Sequence, residues 1–526
     1  MTFKVKLRLL GIIFQGMPKL LNRFLNYLRS NRFYYLIIGV FILEACWIAV
    51  SAAYPQAFDE NFHFGLIKVY SHYWLPFLTH QPPGADAFGA VTRDPSYLYH
   101  YLMSFPYRLI ALVIHHQIAR IIILRFINVG FFTIGLILFR KILDKVGVSK
   151  ALSNLILMLF IFIPIVPQLA GQINYDNLLI PLTATAILLS FRILDEVREH
   201  KASILNISLL IGVCLLTSLV TYVFLPIFAG IALFLLVAAY RANRGNIKGF
   251  FSQLAQSWRS KRLVIRSLIV LSLVVPFGLF AQRDLVNLIE YHSIVPDCSS
   301  VLSVKQCMAY SPWKYNYLQH AKMKSASSPM IYDNPLVYGF QWLYWVWFRL
   351  FFAVNGPNSN FTNYPPLPLP AAAALGVFIL GIAALIKWWR KVFSDNLRLV
   401  LLLVVTTIYL VALLGHGYAT YRYTAVLENM NGRYLLPVLI LIAAIFGQAI
   451  SMALSRNQRR KTVIAIIALA LFIEGGGVLT FIDRSDPSWD VHNKTIIKVN
   501  NVARKVVKKT IVSGKKRYSS HIWFFN

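Results

Sequence analysis

The sequence predicts an all-α polytopic membrane protein of about eleven transmembrane helices, with interfacial helices in a large first outer loop. Three observations lead there. The 526 residues are 57% hydrophobic and 14% charged, with a mean hydropathy of +0.59. Such a balance excludes a cytosolic enzyme, a nucleic-acid-binding module and a disordered scaffold. Apolar runs of about 20 residues, the length that crosses a bilayer, recur along the chain. The 52 Lys and Arg outnumber 20 Asp and Glu and cluster in alternate loops, so the net charge of +32 reflects membrane topology rather than a polyanionic partner.

Lys4, Lys6, Arg8, Lys19, Arg23, Arg29 and Arg32 precede the first apolar run and assign residues 1–32 to a cytoplasmic basic segment. The run Phe33–Tyr54 is too long for a secretory h-region and is expected to be an uncleaved first span. Further runs begin near Ile118, Leu152, Tyr175, Ile204, Val223, Leu263, Pro366, Leu397, Tyr434 and Val463. They delimit a transmembrane domain over 33–481 with outer loops at about 55–117, 281–365 and 415–433. Basic clusters such as Arg140-Lys141, Arg192 to Lys201, Arg241 to Arg262, Lys387 to Arg398 and Arg456 to Lys461 all fall inside if the first span runs outward. The basic tail 482–526 then falls outside, against the charge rule. Either it lies on the outer surface or one helix is miscounted; the agreement of the other loops favours eleven.

Cys46 and Cys214 lie within apolar runs as small hydrophobes. Cys298 and Cys307 sit close together in the polar second outer loop, either as a local disulfide in an oxidising compartment or as two free thiols. There is no CxxC, no His/Cys metal spacing and no Walker A loop, so neither a metal centre nor ATP coupling is written in the sequence. Within the spans, Glu44, Arg125 and Glu474 are unfavourable unless paired. They are either structural polar contacts or functional groups, and Glu44 and Glu474 could face one another.

The first outer loop carries the most chemistry. Asp59 and Glu60 begin an amphipathic stretch with Phe62, Leu66 and Val69 or Tyr70 near helical spacing, followed by Lys68. Asp59 could simply cap this helix while Glu60 favours its positive end. Alternatively, a carboxylate at the apolar boundary, raised by desolvation and lowered by Lys68, is poised as a general base. A second aromatic stretch, Arg93-Asp94-Pro-Ser-Tyr97-Leu-Tyr-His100-Tyr-Leu, is expected to form another interfacial helix or an ordinary aromatic belt.

The acidic pair Asp59-Glu60 with His63 one turn on, the large first loop, the Pro95-Ser-Tyr-Leu-Tyr-His-Tyr-Leu segment, Gln172-Ile-Asn-Tyr-Asp176-Asn177 and Asn431-Gly-Arg433-Tyr434-Leu-Leu-Pro437 together resemble the GT-C superfamily of integral membrane glycosyltransferases. The likeness is to an uncharacterised bacterial branch related to the protein mannosyltransferase and aminoarabinose transferase types. It covers roughly the first four-fifths of the chain and is absent from the tail.

The resemblance implies an inverting enzyme of the cytoplasmic membrane that takes a sugar from a polyprenyl-phosphate donor on the extracytoplasmic face. Asp59 inherits the base role, with Glu60 as its understudy. Asp94 stands at the second acidic position of the loop, though without the Pro-Pro-aromatic pattern, and Asp176-Asn177 would form a polar wall or a helix cap. His63, Tyr97 and His100 are expected to line the substrate site. The donor phosphate calls for cations and hydrogen bonds at the outer lip, for which His416, Tyr421, Arg422, Arg433 and Tyr434 are the candidates, with Lys68, Arg93 and Arg349 behind them. Glu428 could instead neutralise Arg422 or Arg433. Gly432 would let the backbone approach closely beside Arg433.

Acceptor (lipid, glycan or protein) and sugar are not legible. The leaving phosphate can be stabilised by cations alone; a divalent metal is possible, and nucleic acid is not a partner. The alternatives are a transporter or flippase of lipid-linked glycans, which should show pseudo-symmetric halves, and a polysaccharide polymerase or ligase, which should carry more outer arginines.

Overall fold

The computed structural model describes residues 23–325, 333–351, 353–356, 361–363, 368–394, 396–427, 430–454 and 477–507. The chain is an all-α membrane protein. Among the described residues, seven helical stretches are long and apolar enough to cross a bilayer: Asn31–Ser51, Gln117–Lys145, Asp176–Arg198, Tyr222–Ala242, Leu263–Tyr291, Leu397–Thr424 and Gly432–Leu454. The runs at Leu152 and Ile204 form shorter apolar helices, Lys150–Ile161 and Ile204–Val220. The run at Pro366 becomes a helix over Pro368–Phe393, and the run at Val463 lies outside the described residues, as does Glu474. The described strands are a three-residue antiparallel pair, Ala353–Asn355 with Phe361–Asn363.

We name Asn31–Ser51 α1, the loop helices Glu60–Tyr70 and Leu98–Val113 α2 and α3, and Gln117–Lys145 α4. Lys150–Ile161 and Ile165–Ala170 are α5 and α6, Asp176–Arg198 is α7 and Ile204–Val220 is α8. Helix α7 is the central one: two thirds of its apolar window is buried, against about a tenth for the Leu263–Tyr291 helix. That helix turns Leu263, Val264, Leu268, Leu271 and Val274 outward, the all-round apolar surface that lipid accepts and water does not. Between α4 and α7 the backbones come close enough that a Cβ on Gly135 would sit 2.5 Å from Ile180, the small-residue contact by which spanning helices approach without a hydrophobic drive between them.

The two ends of the bundle differ in chemistry. At one end the basic loops meet. Arg398 pairs with Asp195 at 2.6 Å and donates to the Lys145 carbonyl, Asn396 reaches the Val146 carbonyl, and Asn154 donates to Leu28. Segments of the three loops expected to be outer meet at the other end: Arg283 donates to the Val91 carbonyl and Arg433 to the Phe58 carbonyl. Residues 477–507, the start of the basic tail, dock there too: Ala53 N–H donates to the Trp489 carbonyl at 2.7 Å and Val491 N–H to Ser51 at 2.8 Å.

The interfacial stretches are helices, but the phase of the first differs from the sequence expectation. Helix α2 buries His63, Phe64, Leu66, Ile67 and Tyr70, while Phe62 and Val69 are only partly covered. It packs against α3 rather than offering a single face to lipid, so the apolar set is chosen by a protein neighbour.

Candidate active site

The site is built on the turn that leaves α1. Phe58 and Asp59 both adopt the left-handed region, at φ 59° and 65°, a conformation costing non-glycine residues roughly 1–3 kcal/mol each and persisting only where the surroundings over-determine it. Here they do. The Phe58 carbonyl accepts from Asn174 Nδ2 at 2.9 Å and from Arg433 Nη1 at 3.2 Å, while the next residue, Glu60, is fixed from below.

Glu60 is fully buried. Its Oε1 accepts from Arg125 Nε at 2.8 Å and the Ile173 amide at 3.1 Å; its Oε2 accepts from Arg125 Nη2 at 2.7 Å and the Gln56 amide at 2.8 Å. A buried charge survives when paired and hydrogen-bonded in this way. Arg125 also donates to the Ala49 and Ala52 carbonyls. The understudy role for Glu60 is therefore corrected: every favourable lone pair is engaged, and the residue ties the loop to α4 and to the turn before α7.

Asp59 is the opposite case. It occupies the N-cap position of α2 but its side chain makes no cap bond, so the simple capping reading is also overturned. The left-handed turn aims the carboxylate outward, 55% exposed and 3.2 Å from the nearly buried Arg433 guanidinium. Arg433 is held in turn: Asn431 Oδ1 accepts from its amide at 3.1 Å, Tyr409 donates to the Tyr434 carbonyl at 2.6 Å, and the guanidinium lies 5.2 Å from both the Phe58 and the Tyr434 ring centroids. Its Nε has no hydrogen-bond partner. The close approach expected at Gly432 is to the protein itself: a Cβ there would fall 2.5 Å from the Leu350 backbone.

Asp176 opens α7 beside this pair. It is buried, its Oδ2 lacks a partner, and the charges of Arg433 and Asp59 both act on it. His63 Nδ1 and His100 Nε2 lie 2.9 Å apart, and Tyr175 meets the His63 ring edge-on at 4.8 Å. Burial holds His63 well below its ordinary range, with His100 and the Arg433 charge adding to the effect; burial brings His100 down to about 3, against the opposing Ser96 backbone bond. Both are therefore neutral and share one proton between facing nitrogens.

A contribution from the segment between Cys298 and Tyr310 was not foreseen. Cys298 and Cys307 form a disulfide, and three residues on Tyr310 donates its amide to the Cys307 carbonyl. The Tyr310 ring packs 6.0 Å from Phe62, and its phenol, pushed up by burial, also feels the charges of Asp94 and Asp59. Nothing in the sequence singled out Tyr310 beyond its closeness to the cysteine pair.

The remaining candidates are dispersed. Asn177 commits its amide to Asn128 and to the Leu169 and Gln172 carbonyls, so it holds the turn rather than lining a cleft. Tyr97 is buried under Arg283 at 4.5 Å, and Arg93 pairs with Glu290 at 3.0 Å. Asp94 accepts from the Ser96 amide at 2.9 Å; burial pushes its carboxyl up while Ser96 and Arg283 oppose this. Arg422 pairs with Asp333 rather than joining the Asp59–Arg433 pair, and Tyr421 is buried. His416 is exposed on the helix Leu397–Thr424, about two turns past Tyr409, whose hydroxyl reaches the Tyr434 carbonyl. Arg349 lies over the Trp345 ring at 5.5 Å. Lys68 lines a separate cleft of about 370 Å³ with His72, Pro82, Pro83 and Phe88. Glu428 lies outside the described residues. Glu44 is buried against Gly477.

Among the described residues, no group of three or more His, Cys, Asp or Glu could hold a metal ion. What the arrangement can do is take a proton at the exposed Asp59 carboxylate while Arg433 stabilises negative charge beside it. Compared with known proteins, the chain matches no family model and no curated protein.

Proposed function

We propose that the protein is a glycosyltransferase of the cytoplasmic membrane that moves a sugar from a polyprenyl-phosphate donor to an acceptor hydroxyl on the extracytoplasmic face. The observation carrying this reading is the half-exposed Asp59 carboxylate 3.2 Å from the nearly buried Arg433. In this reading the seven spans, the helices Lys150–Ile161, Ile204–Val220 and Pro368–Phe393 and the apolar run from Val463 would make eleven crossings, and the amino terminus would be cytoplasmic.

In the proposed reaction Asp59 takes the acceptor proton as the acceptor oxygen bonds to the anomeric carbon. The carbon–phosphate-oxygen bond breaks on the opposite side, the configuration inverts, and polyprenyl phosphate leaves with the electron pair. Arg433 supplies the cation for that leaving group. At rest one of its donors is on Asp59; donor phosphate would compete for that guanidinium and leave the carboxylate free to accept the acceptor proton. Asp176, with one free oxygen, would orient a hydroxyl.

Sugar transfer in proteoliposomes from a panel of radiolabelled polyprenyl-phosphate sugars tests this. Asp59→Asn should lower transfer by about 10²–10⁴-fold with donor binding retained, and Arg433→Ala should weaken donor binding. If no donor reacts, while labelled lipid crosses the bilayer equally well in wild type and the Asp59 variant, the transporter reading replaces this one.

A further inference from the structure

The tail helix Lys494–Val507 presents three different faces. Its inner face is fixed by hydrogen bonds. Asn500 accepts from Trp47 Nε1 at 3.0 Å and donates to Asp490 at 3.0 Å. Arg504, one turn on, donates to the Ile482 carbonyl at 2.8 Å, to Asp490 Oδ2 at 2.8 Å and to Ser485 Oγ at 3.3 Å. Two such anchors at i and i+4 prevent the helix from rolling about its axis.

With the inner face fixed, the outer two follow from spacing. Val499 and Val502, at i and i+3, form an apolar line with Val506 one turn further; they are exposed by 45% and 54%. Lys494, Lys498 and Lys505, at i, i+4 and i+11, form a parallel basic line, all exposed. Trp47 lies one turn below the end of α1, so the valine line sits level with the last turn of a helix long and apolar enough to span the bilayer.

We propose that this helix is a membrane-surface anchor: the valine line enters the acyl boundary and the lysine line binds anionic lipid headgroups of the same leaflet. A valine line in water would be unfavourable, whereas at that depth it is continuous with the lipid-facing bundle; the lysines beside it match phosphate-bearing headgroups in charge and height. The proposal also accounts for a basic segment at the end of the bundle opposite the other basic loops, since the lysines read a lipid surface there rather than topology.

The test uses the full chain in nanodiscs, with a spin label at Val502→Cys and a reference label at His492→Cys in the exposed turn before the helix. Background from Cys46 and Cys214 is measured on the unsubstituted chain. Label accessibility is read with oxygen against a water-soluble nickel complex, in phosphatidylcholine and in phosphatidylcholine with phosphatidylglycerol. The Val502 label should favour oxygen, shift further towards it with phosphatidylglycerol, and lose that second shift in the K494Q/K498Q/K505Q variant. A nickel-accessible label matching His492 in both lipids overturns the proposal. So does spin–spin broadening between copies, which would assign the valine line to a second chain, or a phosphatidylglycerol shift that survives the triple variant. Because the two lipid arms use the same lysine-bearing protein, a misfolded triple variant leaves the central comparison intact.

Discussion

Two adjacent carboxylates meet opposite fates because one backbone turn points them in opposite directions. Glu60 is sealed against Arg125, whereas Asp59 is turned outward by the left-handed Phe58–Asp59 pair. Glu60→Ala leaves Arg125 buried without a counter-ion, so thermal unfolding in detergent should show a loss of about 3–5 kcal/mol, partly recovered in a Glu60→Gln/Arg125→Met double variant. Asp59→Asn, at a half-exposed position, should stay within about 1 kcal/mol of wild type. If the two variants unfold alike, the assigned difference between the carboxylates is mistaken. The His63–His100 pair makes a pH prediction at the same scale. Both are held neutral in the folded chain, His100 down to about 3, while unfolded histidine titrates near ~6.5. The unfolded chain therefore binds more protons below that value, and stability, complete above it, should decline as pH falls towards about 3. His100→Gln should flatten that decline in melting curves taken across the range.

At the scale of elements, long spans were legible because a bilayer obliges each crossing segment to be apolar and to satisfy its own backbone hydrogen bonds. The helix starts near Ile118, Tyr175, Leu263 and Leu397 needed no tertiary information. The phase of the first loop helix did: Phe62 and Val69 fit the period, but contact with α3 selected His63, Phe64 and Ile67 instead. The Gly432 turn belongs here as well. Gly432→Ala would drive a Cβ into the Leu350 backbone and displace the segment carrying Arg433, an overpacking cost of about 1–3 kcal/mol. Lower thermal stability together with weaker donor binding is the expected result; unchanged stability would mean that the close approach does not exist. The loop closed by Cys298–Cys307 should protect both thiols from alkylation until reduction, and reduction should loosen the Tyr310 segment to proteolysis.

At the scale of the whole molecule, the tail is held by Asp490, which bridges Asn500 and Arg504 and pairs with Ala52 across an isolated bridge. Asp490→Ala strands a buried arginine, so limited trypsin digestion should cut at Lys494, Lys498 or Lys505 several-fold faster, with the helical bundle itself unaffected. Equal digestion would show that the tail is secured elsewhere.

The sequence by itself determined the membrane class, most of the spans and the segregation of basic loops, and it marked Asp59 and Arg433 as candidates, because these rest on local composition, periodicity and short motifs. Only the tertiary structure decided which charge meets which. Asp59 finds Arg433 374 residues away and Glu60 finds Arg125 65 residues away, while Arg93 and Arg422 are taken by Glu290 and Asp333. An ion pair requires its atoms within about 4 Å, a distance fixed by how helices remote in the chain pack together and not by any residue's neighbours in sequence.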